Sequence, residues 1–348
     1  MSERQFWIGL NLVQGIGPVR VRQLLEHFGA LSEAWRASPE ALQKAGLDRR
    51  ALRSLVEARR RVDLEAEVAR LDKLGIGVLT WEDEDYPVLL AQLRPIDQAP
   101  PVLYVRGSLA ETDEWAIAVV GTRSVTPYGR QVTHQLVSDL AANGLTVVSG
   151  LARGVDAEAH QAALEAGGRT IAVLACGMDD IYPPEHRMLA ARIVRQGALI
   201  SPFPLGARPL ATNFSARNRV LSGLARGVLV TLEQGREVFA VPGNITAQGS
   251  AGTNRLIQDG AHPVLNVRDV LDVLKLEQVA QFANARETLP AMSDIERAVV
   301  TKLSADPVHI DELTQRCGLS VALVSSALVT LELKGMVRQV GPMTYVRL

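Results

Sequence analysis

Three short stretches of this chain bring arginine, glycine and hydroxyl side chains together at spacings suited to holding anionic groups. The first is Gly121-Thr122-Arg123-Ser124, entered from the apolar run Ala116-Ile117-Ala118-Val119-Val120. The second is Ser149-Gly150-Leu151-Ala152-Arg153-Gly154-Val155-Asp156, entered from Thr146-Val147-Val148. A strand ending in glycine at a helix start aims backbone N–H groups outward, which is how open α/β sheets bind anionic ligands. Neither stretch reads Gly-x-Gly-x-x-Gly, so a dinucleotide fingerprint is absent. Arg123 and Arg153 each add a planar fork for phosphate, and Thr122 and Ser149 add hydroxyl donors. The third stretch, Asn213-Phe214-Ser215-Ala216-Arg217-Asn218-Arg219 followed by Ser222-Gly223, sets an aromatic ring beside two arginines. An aromatic platform next to a cationic track suits a single-stranded nucleic acid.

Catalytic readings are weaker. Asp156 and His160 stand four residues apart on one expected helix face, a spacing that fits an acid–base pair but more commonly serves a local hydrogen bond that fixes a loop. Cys176, in Ala175-Cys176-Gly177 after an apolar strand, reads as a small buried filler with nothing cationic placed to activate it. No His, Cys and carboxylate set has metal-ligand spacing, and no Gly-x-Ser-x-Gly elbow occurs.

The elements that must position these residues follow from apolar periodicity and punctuation. The 348 residues are 47% hydrophobic and 22% charged, enough to bury several cores and too apolar for a disordered chain. Basic and acidic side chains nearly balance, 37 against 38, which argues against a non-specific basic coat for DNA. Only five of the basic residues are lysines, none between Lys73 and Lys275, so cationic recognition in the middle of the chain falls to arginine. Two cysteines cannot staple a fold of this size, and with no signal-peptide pattern and no apolar run near membrane-spanning length, a cytoplasmic setting and no membrane contact are expected.

Residues 1–73 read as an all-helical domain of helix-hairpin-helix or SAM-like type. Pro18 suits a first helical turn, and Ser38-Pro39 an N-cap followed by N1. Gly15-Ile16-Gly17 entering a helix resembles a helix-hairpin-helix turn, which either receives a phosphate or merely packs. Residues 74–275 alternate apolar runs with helical stretches. Runs at 77–80, 102–105, 116–120, 146–148, 171–174, 198–200, 228–230 and 238–241 are mostly continuous rather than alternating, as strands buried on both faces require. The fold class is therefore α/β, with a mostly parallel, extended Rossmann-like sheet. After a polar linker at 276–292, residues 293–348 read as three helices and a hairpin, the winged-helix order. Its candidate recognition helix, 320–334, carries one lysine and no arginine, which favours a protein-contact or accessory role over duplex readout.

The three stretches, together with Gly177-Met178-Asp179-Asp180-Ile181-Tyr182-Pro183-Pro184-Glu185, Val241-Pro242-Gly243 and Gly252-Thr253-Asn254-Arg255-Leu256-Ile257, closely resemble the DNA-processing protein A (DprA/Smf) family. The resemblance spans nearly the whole chain. It implies a non-enzymatic, cofactor-free homodimer that binds and protects incoming single-stranded DNA and loads the RecA recombinase in natural transformation, with single-strand-binding protein a further partner. By that likeness Gly121, Thr122, Arg123, Ser149, Gly150, Arg153, Gly154, Phe214, Arg217, Asn218, Arg219 and Ser222 form the strand-binding pocket. One departure stands out. Family members usually carry a further turn and helix after the Val-Leu-Val strand, whereas here seven residues, 231–237, separate the runs at 228–230 and 238–241. A parallel crossover with its helix needs at least about 10–12 residues. The two runs are therefore not expected to be ordinary parallel strands joined by a packed helix, and structure near 224–240 should be weakened.

Two other readings compete. One is a nucleotide-processing enzyme of the lysine-decarboxylase-like phosphoribohydrolase type, resting on the same phosphate turns and on Val241-Pro242-Gly243; the paired glutamates such enzymes use for acid–base work have no convincing counterpart here, though Glu233 and Glu237 share a helical i, i+4 spacing. The other is a regulatory interaction protein whose sheet is only scaffold.

Overall fold

The computed structural model describes residues 2–229, 237–242, 251–274, 293–303, 308–333, 336–341 and 343–347. The chain divides into two compact units, Met1–Glu277 and Gln278–Leu348. The expected linker at 276–292 lies outside the described residues.

The first unit opens with six helices: α1 (Glu3–Asn11), α2 (Pro18–Phe28), α3 (Leu31–Arg36), α4 (Pro39–Lys44), α5 (Arg49–Arg61) and α6 (Leu64–Lys73). Their starts follow local chemistry. Pro18 and Pro39 occupy first-turn positions, and Ser38, Asp48 and Asp63 accept first-turn backbone N–H groups. Leu24, Leu31, Leu42 and Leu55 are fully buried and join a core that also holds Val102, Tyr104, Leu174 and Leu199 from the sheet. The helical head therefore shares a core with the segment that follows it. Asn11 seals the join by donating to the Tyr104 hydroxyl (3.4 Å) and to the Pro202 carbonyl (3.3 Å).

The sheet has nine strands: β1 (Gly77–Thr80), β2 (Val102–Gly107), β3 (Ala116–Val119), β4 (Thr146–Ser149), β5 (Thr170–Val173), β6 (Ala198–Ser201), β7 (Gly227–Leu229), β8 (Glu237–Ala240) and β9 (His262–Pro263). Their spatial order is β1-β2-β6-β5-β4-β3-β7-β8-β9. All neighbours from β6 to β9 pair parallel, and β2 turns antiparallel against β6 and β1. Strands β3 to β6 are buried along their whole length, which is why their sequences are continuous apolar runs. The period-2 alternation of side chains divides them between two layers. Val148, Ile171 and Val173 meet Leu90 of α7 (Val88–Ala91) and Val220 and Leu221 farther along, whereas Ala172 and Leu199 join the core shared with the head. After β3, β4 and β5 come α8 (Pro127–Ala142), α9 (Val155–Glu165) and α10 (Arg187–Gln196), and α11 (Ala211–Gly223) leads into β7. Succession runs outward from β3 through β4, β5 and β6, then returns to place β7 on the other side of β3. That reversal makes the ends of β3 and β7 the topological switch point, where such sheets open a crevice.

The shortened region corrects one expectation. Strands β7 and β8 pair parallel in simple register, with Val228 opposite Val238 and Leu229 opposite Phe239. The physical reason is reach. Seven residues extend to about 23 Å, while the return path over a three-residue strand is only about 10 Å long. A packed helix is not needed to close the connection. Residues 230–236, on which the rest of that expectation falls, lie outside the described set.

In the second unit, helices Asp294–Val300, Ile310–Cys317 and Val321–Leu333 precede β11 (Val337–Gly341) and β12 (Thr344–Arg347), with the short β10 (Val308–His309) added against β12. This is a winged helix. Val299, Leu313, Val324, Leu328 and Tyr345 form its core. Val321 and Leu323 of the last helix are exposed, at 49% and 44%, beside exposed Ser326 and half-buried Ser325 and Thr330, so its described outer face is a mix of apolar and hydroxyl side chains without a basic one.

Candidate nucleic-acid interface

The turns after β3 and β4 lie one on the other. Val155 N–H, at the start of α9, donates to the Thr122 carbonyl at 3.1 Å. This approach dictates two glycines. A Cβ on Gly121 would lie 2.7 Å from a Val155 methyl, and one on Gly154 would lie 2.2 Å from the Thr122 carbonyl oxygen. Gly154 also has φ +79°, in the left-handed region. The Thr122 hydroxyl accepts from Ser124 N–H (3.1 Å), which tightens this exposed turn and leaves Arg123 projecting from it.

Two residues that the sequence offered as direct donors are inside the protein. Ser149 is fully buried, and its hydroxyl donates to the Val119 carbonyl at 2.6 Å, tying the end of β4 to β3. Arg217 is only 5% exposed. It reaches inward from α11 across Gly150, where a Cβ would collide with its guanidinium, and donates to the Val173 carbonyl at 3.1 Å. Asp156 stands 4.0 Å away with both side chains buried. Lacking a side chain, Gly150 provides the space for this guanidinium, which joins α11 to the end of β5 across the turn that follows β4.

The exposed layer above them holds the Phe214 and Arg219 side chains of the third stretch together with Arg123. Phe214, half-buried on α11, meets Tyr182 edge-to-face at 6.4 Å between ring centroids. The Arg123 guanidinium lies 5.1 Å from the Phe214 ring centre, and that of Arg217 lies 5.7 Å from it, from below. Asn218 and Arg219 are exposed one helical step on, and Ser222 is half-buried with its hydroxyl 3.3 Å from the Arg219 carbonyl. Arg153 is exposed but pairs with Glu185 at 2.5 Å, a contact that holds that carboxyl below its ordinary range. Arg130 pairs with Glu158 at 3.7 Å. Arg123, Arg208 and Arg219 have no carboxylate partner among the described residues. A groove of about 470 Å³ runs beside this layer, lined by Arg123, Arg130, Arg153, Gly154, Gln161 and His186. The sequence reading did not single out two residues of this layer: Tyr182, and His186, whose Nδ1–H donates to the Leu151 carbonyl at 2.8 Å. Tyr182 lay within a motif already singled out, but nothing local shows that its ring meets one 32 positions later.

The possible acid–base pair does not form. The Asp156 carboxylate accepts from Ala152 N–H at 3.2 Å and so fixes the turn, and burial raises its pKa despite the opposing pull of Arg217. His160 turns away to Thr170, 2.7 Å from its hydroxyl. Because that hydroxyl donates to the Val147 carbonyl, it must accept from His160, so Nδ1 carries the ring proton. Burial pushes the His160 pKa down to about 3. A ring neutral in the fold but titrating near 6.5 when unfolded supports stability that is present above the unfolded value and lost as pH falls toward about 3. The His160 ring proton resonances should therefore show no inflection between pH 8 and 5, and an inflection near 6.5 would show the ring to be solvated. The Cys176 thiol is pushed up to about 11 by burial, as befits an inert filler. Among the described residues no group of His, Cys, Asp and Glu could hold a metal. Glu233 lies outside them, and the side chain of Glu237 is likewise outside the description.

Fold and site together define a class: an extended Rossmann-like sheet with a cationic, aromatic switch-point edge, accompanied by a winged helix. The family model described as DNA recombination-mediator protein A matches residues 77–275, and the one described as DprA winged helix domain matches 283–341. Protein Smf of Escherichia coli is 36% identical over 370 aligned positions, taking in 100% of this chain and 96% of that protein. Protein Smf of Synechocystis is 31% identical over 397 positions, with 99% of each chain covered. The X-ray structure of DNA processing protein A from Streptococcus pneumoniae superposes with a TM-score of 0.65 at 30% identity, covering 77% of this chain and 97% of that one. This chain belongs to the DprA/Smf family of DNA recombination mediators. No helix among the described residues is long and apolar enough to cross a membrane.

Proposed function

We propose that this protein binds single-stranded DNA along the switch-point edge of its sheet and hands the strand to a RecA-type recombinase, acting without chemistry of its own. The observation that carries this reading is the Arg123–Phe214–Tyr182 cluster, in which a guanidinium with no carboxylate partner among the described residues stands 5.1 Å from the centre of a half-buried ring that packs against a second, exposed ring. Bases stack on such rings while guanidinium groups follow the phosphates, a mode indifferent to sequence. Gly121, Thr122, Gly154, Asn218 and Arg219 complete the edge in this reading. Ser149, Gly150 and Arg217 support it from beneath, and Arg153 and Ser222 flank it. A homodimer, contact with single-strand-binding protein and a cytoplasmic setting belong to the same proposal. The described outer face of Val321–Leu333, with exposed Val321, Leu323 and Ser326 and no basic side chain, supports a protein contact there rather than duplex readout.

Fluorescence-anisotropy titration of labelled single strands at several salt concentrations tests the pocket. Phe214→Ala should cost about 1–3 kcal/mol for each base it stacks. Arg123→Ala should lower the salt slope by about 0.7. Unchanged affinity and slope in the double variant would remove the pocket from consideration.

A further inference from the structure

Away from the sheet edge, the largest accumulation of unpartnered charge lies on α5, Arg-Arg-Ala-Leu-Arg-Ser-Leu-Val-Glu-Ala-Arg-Arg-Arg from Arg49 to Arg61, with six arginines against one glutamate. At about 100° per residue, Arg49, Arg60, Arg53, Arg50 and Arg61 fall within a single arc of about 120°. Ala51, Leu55, Ala58 and Arg59 fall on the opposite side. The two sides behave differently. Ala51 and Leu55 are fully buried, and Arg59 turns inward to donate to the Ala34 and Ala37 carbonyls at 2.8 Å each. The five arginines of the arc are exposed, and none of their guanidinium groups has an ion pair or hydrogen bond among the described residues.

Many other arginines of the unit are paired. Arg4, Arg20, Arg22, Arg70, Arg130, Arg153, Arg169 and Arg187 each meet a carboxylate within 4 Å. A like-charged helix face repels itself, and only Glu57 interrupts this one. Such a face gains most from a polyanion whose charges recur along its length. The arc extends for about 18 Å, enough to meet several phosphates of one strand. Arginine supplies the planar fork suited to them.

We infer that the outer face of α5 is a second, sequence-independent contact for the single-stranded DNA backbone, engaged only when the strand is longer than the sheet-edge pocket. The inference rests on the reading of this chain as a single-strand binder. The face has no aromatic residue, so it adds charge contacts without stacking. It should contribute salt-dependent affinity and no base preference.

The test uses the full-length protein and two oligothymidylates, one of about 8 nucleotides that a single stacking groove accommodates and one of about 40 that exceeds it. The triple variant Arg49→Gln, Arg53→Gln, Arg60→Gln should leave short-strand affinity unchanged. Its salt slope on the long strand should fall by about 2, with roughly ten-fold weaker binding at moderate salt. Lysine at the same three positions should restore the slope, because the charges return. An unchanged long-strand slope in the glutamine variant overturns the inference. So does an equal loss on both strands, or a lysine variant as weak as the glutamine one. If the unsubstituted protein does not bind the short strand, the pocket reading itself fails, a result distinct from any of these.

Discussion

Arg217→Met is expected to lower the unfolding free energy of the sheet-bearing unit by about 3–5 kcal/mol at pH 8, and by less in mild acid. The Arg217 guanidinium and the Asp156 carboxylate are buried together 4.0 Å apart. Removing the cation leaves a carboxylate that burial already drives toward its protonated form and that no longer has the countering pull of Arg217. The folded-state pKa of Asp156 is then raised further above its unfolded value of about 3.9. A carboxyl raised in this way contributes stability that is fully present below the unfolded pKa and is lost as pH rises through the folded one. The deficit should therefore narrow as pH is lowered from 8 toward 5. Urea denaturation followed by circular dichroism at both pH values measures this. A deficit under about 1 kcal/mol, or one that does not change with pH, would mean that the guanidinium is not the partner holding that charge. Removing both charges, as in Arg217→Met with Asp156→Leu, should be milder than the single change, because no uncompensated ion remains.

The second large effect belongs to Gly154→Ala. At φ +79° an alanine is strained, and its Cβ would stand 2.2 Å from the Thr122 carbonyl oxygen and 2.8 Å from backbone atoms of Arg123. Backbone cannot swing aside as a flexible side chain can. Strain and overpacking together should cost roughly 3–5 kcal/mol, a fall of about 10 °C in Tm for a unit of this size. Displacing the turn that carries Arg123 should abolish single-strand binding even at temperatures where the protein stays folded. Gly167→Ala is the control, since Gly167 has φ +74° but nothing within 4 Å of where its Cβ would lie. If the two variants melt together, the contact between the turns is not what makes Gly154 necessary.

Much of the architecture was legible from local pattern. Continuous apolar runs marked β3 to β6 because a parallel sheet covered on both faces leaves no polar side to its strands. Pro18, Ser38 and Pro39 marked helix starts because unpaired N–H groups are local matters. The exposed half of the site, with Arg123, Phe214 and Arg219, was legible too, since glycine turns and an aromatic beside arginines declare themselves within a few residues. The buried half was not. The same residue types in the same motifs conceal whether a side chain faces solvent or core, and Ser149 and Arg217 face the core.

By itself, the sequence determined the α/β class, the positions of the sheet's longer strands, the winged-helix order and the reliance of the middle of the chain on arginine for positive charge, because each rests on periodicity or composition over short spans. Tertiary structure alone decided four other matters: that Arg217 fills the space beside Gly150, that His160 bonds Thr170 rather than Asp156, that Tyr182 meets Phe214, and that seven residues suffice between β7 and β8. All four depend on distances between segments far apart in the chain. Such distances are set by how layers pack, and no local spacing encodes them.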